Sequence, residues 1–147
     1  MNETRQPVDA PRRTVKALTI SQPWAWAIIH AGKNVENRRW KTRYRGPLLI
    51  HAGNQSDPAG SGSILWVMDD PEAFGQPRAA FEARGAIIGV ANLVDVLIDS
   101  SSPWAMPGWF HWLLEFPEPV DPPIPCRGRQ GLWRPPPRVL GTLAGIR

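Results

Sequence analysis

Proline and glycine constrain this chain more than any other residues. With 17 Pro and 13 Gly in 147 positions, few stretches are free enough of breakers to sustain a long helix. The expectation is short strands and turns, with brief helices where breakers are sparse. The length suits one domain around a single core, and 42% apolar with 20% charged residues is ordinary for a globular chain. Eight tryptophans are not ordinary. Some of those indoles are expected to line a surface rather than fill the core.

Residues 1–15 mix Pro, Arg and acids without periodicity and predict a disordered arm, followed by one domain over residues 16–147. "KALTI" reads as a strand. "SQPWAWAIIHAG" reads as a helix with Ser21 or Gln22 as N-cap, Pro23 at its first position and Gly32 as terminator. Trp24, Ala27, Ile28 and Ala31 then form its core stripe. "KNVENRRW" and "GPLLIHAG" predict strands on either side of a basic turn, and "NQSDPAGSGS" a surface loop. A helix interrupted near Pro77 is expected in "PEAFGQPRAAFEARG", and the best strand of the chain is "AIIGVANLVDVLI", apolar enough to be buried. "SSPWAMPGW" reads as a loop, "FHWLLEF" as a strand, and the segment from "PEPVDPP" to "LWRPP" as a proline-punctuated run ending the basic tail. The fold class is α+β, with five or six strands in a small, strongly curved sheet or barrel.

No apolar run approaches the roughly 20 residues of a membrane span, and "MNETRQPVDAPRR" lacks the apolar stretch of a signal peptide. The expectation is a soluble, cytoplasmic monomer. The single cysteine, Cys126, excludes an internal disulfide, and His30, His51 and His111 show no ligand spacing. No cofactor or protein-held metal is expected, although a divalent ion would be compatible with phosphate chemistry. Phosphate-loop, dinucleotide, nucleophile-elbow and zinc motifs are missing from the sequence.

Charge is segregated along the chain. Residues 57–121 hold ten acids and two basic residues, whereas the remainder holds fifteen basic residues and three acids, giving −8 against +12. Gathered on one face, the positive set would attract a polyanion by counterion release. Fourteen of the seventeen cations are arginine, whose planar fork suits phosphates and stacks on bases.

The densest basic stretch, "GKNVENRRWKTRYRG", contains one acid, Glu36. On a strand, period two puts Glu36, Arg38 and Trp40 on one side, and Lys33 at the preceding turn can fold over the same spot. Two cations favour the charged form of such a carboxylate. It could order the cations, accept hydrogen bonds from a base, or act as a general base.

"LTISQPWAWAIIHAGKNVENRRW", "GPLLIHAG", "GVANLVDV", "HWLLEF" and "PCRGRQGLW" together resemble the ASCH domain family, over roughly residues 16 to 135. "AGKNVENR" reads as G-K-x-x-E-x-R and resembles the family signature G-x-K-x-x-E-x-R with the glycine one position nearer, placing Gly32, Lys33, Glu36 and Arg38 in the matching roles. The resemblance implies a small PUA-like β-barrel with flanking helices and a cleft receiving Lys33, Glu36 and Arg38 as candidate catalytic residues. RNA or another single-stranded nucleic acid is the implied partner, gripped by Arg39, Lys41, Arg43, Arg45, Arg127 and Arg129, with Trp40 as a stacking platform. Ribonuclease action is a further implied activity. An alternative is amide hydrolysis of an acetylated or otherwise modified pyrimidine nucleoside; in that subgroup a threonine nucleophile stands where this chain has Glu36.

Overall fold

A computed structural model of the protein describes residues 15–57 and 82–146. In chain order these contain β1 (Lys16–Gln22), α1 (Trp24–His30), β2 (Val35–Arg38), β3 (Gly46–Ser56), β4 (Ala86–Leu97), β5 (Phe110–Pro125), β6 (Leu132–Trp133) and α2 (Pro137–Ile146). The six strands form one sheet in the order β2-β5-β4-β3-β1-β6. β1 runs parallel to β3, and every other pair is antiparallel. Three irregularities in the β4–β5 ladder, between Ile87 and Gly89, Val90 and Asn92, and Leu93 and Asp95, supply the local twist that curls the sheet. The result is a half-barrel, in line with the strongly curved sheet or barrel expected, and β2 and β6 end it unpaired with each other. Both are short, four and two residues, which limits the exposed edge.

The central strands are apolar on both faces because both faces are covered. Leu18, Ile20, Ile50, Ile88 and Trp112 face Ala25, Ile28 and Ile29 of α1. Ala17, Leu49, Ile87 and Trp133 face the other way, toward Val139 of α2. Helix α1 comes so close to the sheet at Gly89 that an added Cβ would lie 2.4 Å from Ile29 Cδ1 and 2.8 Å from the Glu118 carbonyl oxygen.

Several expectations need correction. The predicted core stripe on α1 is observed only in part, since Ala27 and Ile28 are buried but Trp24 and Ala31 are not fully so. Ala25, Ile28 and Ile29 enter the main core, Trp26 and Ala27 join a separate cluster beneath Trp104, and Trp24 is only half-buried. The sheet covers one side of this helix and the loop at 100–109 the other, so its pattern need not be amphipathic. Pro23 occupies the N-cap rather than the first turn, and Gln22 Oε1 accepts the Trp26 N–H at 2.9 Å. Residues 54–56, read as loop, extend β3.

The proline-rich run after Phe116 continues β5 to Pro125. β2 covers β5 only along Phe110–Leu113, so the remaining stretch has a free side on which missing N–H donors cost little. The tail contains a helix, α2, opening with Pro at its first position, where the ring is tolerated. The expected arm over 1–15 lies outside the described residues except for Val15. The predicted helix over 71–85 does so except for its last residues, of which Glu82 is helical. No described helix is long and apolar enough to cross a membrane.

Candidate functional site

Gly32, at φ +74°, turns the chain out of α1, and the Ala27 carbonyl accepts both the Ala31 and Lys33 N–H groups. This turn delivers Lys33 to the foot of β2. Its ammonium is buried, 4% exposed, and donates to the Val35 carbonyl and to Glu36 Oε1, the latter at 2.7 Å. It also lies 5.8 Å from the ring centre of Trp24. Glu36, 7% exposed, pairs with Trp112 of β5 in the ladder. Arg38 Nε stands 3.4 Å from Glu36 Oε2 and makes no hydrogen bond among the described residues. The Arg38 guanidinium is held instead by its NH2 group, which donates to the Thr19 carbonyl at 2.9 Å.

The two carboxylate oxygens therefore differ. Oε1 is committed to Lys33, whereas Oε2 has one loose neighbour and keeps acceptor capacity for a ligand N–H or O–H. Glu36 and Arg38 line a cleft of about 440 Å³, and Lys33 sits behind the carboxylate instead of in the cleft wall. The three charged heads converge, as their spacing suggests, but only two of them face the opening.

Three indoles, Trp24, Trp40 and Trp109, also line this cleft. Trp40 stands edge-on to the buried Trp112 at 4.8 Å, and its carbonyl accepts the Trp112 Nε1–H at 3.1 Å. Trp24 donates from Nε1 to Asp57 at 3.0 Å. Arg39 lies 3.8 Å from the centre of the Trp109 ring, a stacked cation and indole at the cleft mouth. The loop carrying Trp109 is tied to β2 by Asn37, whose side chain donates to the Trp104 carbonyl and accepts the Met106 N–H.

Other predicted residues lie elsewhere. Lys41, Arg43 and Arg45 line a separate depression. Arg127 and Arg129 are exposed on either side of Gly128, which rests against the side chains of Thr19 and His51. Thr19 also lines the cleft, so both arginines sit on a segment backing its wall. Thr42 is in the separate depression, and its hydroxyl oxygen accepts the Tyr44 N–H at 3.0 Å. Trp133 is buried and donates to the Thr19 hydroxyl oxygen at 3.1 Å.

The histidines serve structure. His51 Nε2 lies 2.6 Å from the Cys126 carbonyl oxygen and Nδ1 lies 3.2 Å from Thr19 Oγ1, which fixes the Nε2–H tautomer. Burial pushes the His51 pKa down, partly opposed by the bond to Cys126. Both His111 nitrogens are engaged, by the Ser100 N–H and the Met106 carbonyl. His30 differs from them: its buried Nε2 has no hydrogen-bond partner among the described residues, and burial lowers its pKa. Among those residues no group of three His, Cys, Asp or Glu could hold a metal ion.

Sequence reasoning missed Thr19 and the 53–55 end of β3 as cleft walls, because non-local pairing of the parallel strands β1 and β3 brings them there. It also missed Asn37, whose alternation away from Glu36 was the available signal.

The family model of the ASCH domain matches residues 18–124. A comparison with curated proteins finds no match. Among solved structures, ASCH from Zymomonas mobilis aligns with TM-score 0.54 at 16% identity, covering 91% of this chain and 96% of that one. A serine-to-alanine variant of the same protein gives TM-score 0.54 at 16% identity, over 92% and 98% of the two chains. A tyrosine-to-phenylalanine variant gives 0.52 at 16% identity, over 91% and 99%. At this identity the likeness concerns the fold.

Proposed function

The chain belongs to the ASCH domain family, and from that premise we propose that its cleft binds single-stranded RNA. One observation carries the reading: a single 440 Å³ cleft joins the Arg39–Trp109 stack and Trp40 to the Glu36–Arg38 pair. Indoles and a stacked guanidinium offer planar apolar surface to an unpaired base. Oε2 of Glu36 accepts from a base amino or imino group, and the Arg38 and Arg39 guanidiniums meet phosphate or carbonyl oxygens.

A second reading, RNA cleavage, is favoured by the loose Oε2. That oxygen takes the proton of a ribose 2′-hydroxyl as the O2′–P bond forms and the P–O5′ bond breaks, and the departing 5′-oxygen takes a proton from water. Arg38 stabilises the extra negative charge on phosphorus-bound oxygen. Lys33 acts through Glu36 as a positioning residue. The products are a 2′,3′-cyclic phosphate and a 5′-hydroxyl. Amide hydrolysis of a modified nucleoside has less support, since Glu36 stands where that subgroup has its threonine nucleophile, and Thr42, the nearest threonine along the chain, lies outside the cleft.

The test incubates the protein with labelled single-stranded RNA, single-stranded DNA and acetylated cytidine, with and without a divalent ion, and resolves bound fraction and products. RNA binding weakened at least tenfold by Trp109→Ala is the expected result. Turnover of acetylated cytidine with no RNA binding would overturn it.

A further inference from the structure

Residues 39–45 form a ridge between two depressions. Arg39 and Trp40 line the cleft described above, whereas Lys41, Thr42, Arg43 and Arg45 line a second depression of about 660 Å³. Trp40 and Lys41 are consecutive, so the two linings adjoin along the chain, ~3.8 Å apart between Cα atoms. The lining of the second depression has two parts. Its apolar part includes Val96, Leu97, Ile98 and Phe110, with Ile98 71% exposed. Lys41, Arg43 and Arg45 line it as well.

The three cations there are not equivalent. The Arg45 guanidinium donates to the Thr42 and Tyr44 carbonyls at 2.8 and 2.9 Å and lies 3.5 Å from Asp95, so it closes the ridge's own turn. Lys41 and Arg43 are exposed and make no hydrogen bond or ion pair among the described residues. Asp99 also lines this depression, and after Asp95 and Asp99 are counted against the three cations the local charge remains +1. Apolar side chains beside two uncommitted cations suit one more nucleotide, its base on Phe110 and Ile98 and its phosphates at Lys41 and Arg43.

We infer that this second depression carries the continuation of the RNA strand whose base occupies the first cleft, so that the ligand is an oligonucleotide rather than a free nucleoside. The inference rests on the RNA-binding reading of the first cleft and extends it. Lys41 and Arg43 then add affinity only for ligands long enough to cross the ridge at Trp40.

The experiment measures binding of a fluorescein-labelled ten-nucleotide RNA of mixed sequence, a length within the ~4–16 nucleotides typical of compact single-strand binders. Ribonucleoside monophosphates serve as competitors. Wild type is compared with the double variant Lys41→Glu/Arg43→Glu and with Trp109→Ala. The expected result is that the double variant loses at least tenfold in affinity for the decamer. The slope of its log K against log salt should shrink by about 1.4, two single-strand phosphate contacts at ~0.7 each. Its melting temperature should be unchanged, and its affinity for monophosphates should stay within twofold of wild type.

If the double variant binds the decamer like wild type while Trp109→Ala weakens it, the second depression is not used and the inference falls, with the cleft reading intact. Equal losses for decamer and monophosphates would also overturn it, since the depressions would then be one site. So would binding of polyglutamate that depends on Lys41 and Arg43 when decamer binding does not, which would assign the depression to an acidic protein partner. Failure of wild type to bind RNA of any length removes the parent reading and this inference together.

Discussion

Glu36 has one oxygen fully engaged and the other nearly open, and substitutions separate the two roles. Glu36→Gln keeps an oxygen acceptor for Lys33 but removes the base. RNA cleavage should fall by roughly a hundredfold or more, as for loss of a general base, while RNA binding changes by only a few-fold. A variant that melts far earlier yet turns over normally at low temperature would instead make Glu36 a brace. Lys33→Met leaves the Glu36 carboxylate buried beside only the looser Arg38, and should lower stability by about 3–5 kcal/mol in chemical denaturation. Combining it with Glu36→Gln should recover part of that loss, the signature of coupling in a double-mutant cycle. His51 gives a pH dependence of known sign. Its folded-state pKa lies below the unfolded value of 6.5, so the unfolded chain binds the extra proton first. Stability is complete above pH 6.5 and declines as pH falls through the lowered folded pKa. A His51→Gln variant should show a shallower decline between pH 7 and 5, and the remainder belongs partly to His30, shifted in the same direction.

The elements place these residues by close approach as much as by pairing. Helix α1 can sit over β4 only because Gly89 lacks a side chain, and Gly89→Ala would drive a methyl into Ile29 and the Glu118 carbonyl. Its expected cost is about 1–3 kcal/mol or more, read as a lower denaturation midpoint, with weakened RNA binding because α1 carries both Trp24 and the turn that delivers Lys33. An unchanged midpoint would show that helix and strand separate without penalty. The strands themselves were legible. Period-two alternation marked β2, the short apolar run KALTI marked β1, and the apolar run at 86–98 announced a buried strand. The extent of β5 was not legible. Prolines argue against a strand in a sheet interior, and only the short reach of β2 leaves β5 the free side that tolerates them. Helix α2 was hidden for a similar reason, since three successive prolines obscure a start that uses the last of them at its first position.

At the scale of the whole molecule, the exposed cations Arg39, Lys41, Arg43, Arg127 and Arg129 should make RNA affinity depend steeply on salt. Five phosphate contacts predict a slope near −3.5 in log K against log salt. Arg127→Glu with Arg129→Glu should flatten that slope without altering the melting temperature, and a slope near zero in wild type would refute the polyanion reading. The sequence by itself determined the α+β class, most strands, the family signature and the convergence of Lys33, Glu36 and Arg38, since these follow from local periodicity and from spacings of two to five residues. Tertiary structure alone decided how those heads are ordered. Burial put Lys33 behind the carboxylate, and the Thr19 carbonyl, brought in by β1, turned Arg38 toward the opening. It also divided one basic run between two depressions, Arg39 and Trp40 lining the first and Lys41, Arg43 and Arg45 the second. Periodicity reports which side of its own element a residue occupies. What lies against that side depends on chain segments far away in sequence, and those contacts are set only when the sheet curls and its helices close over it.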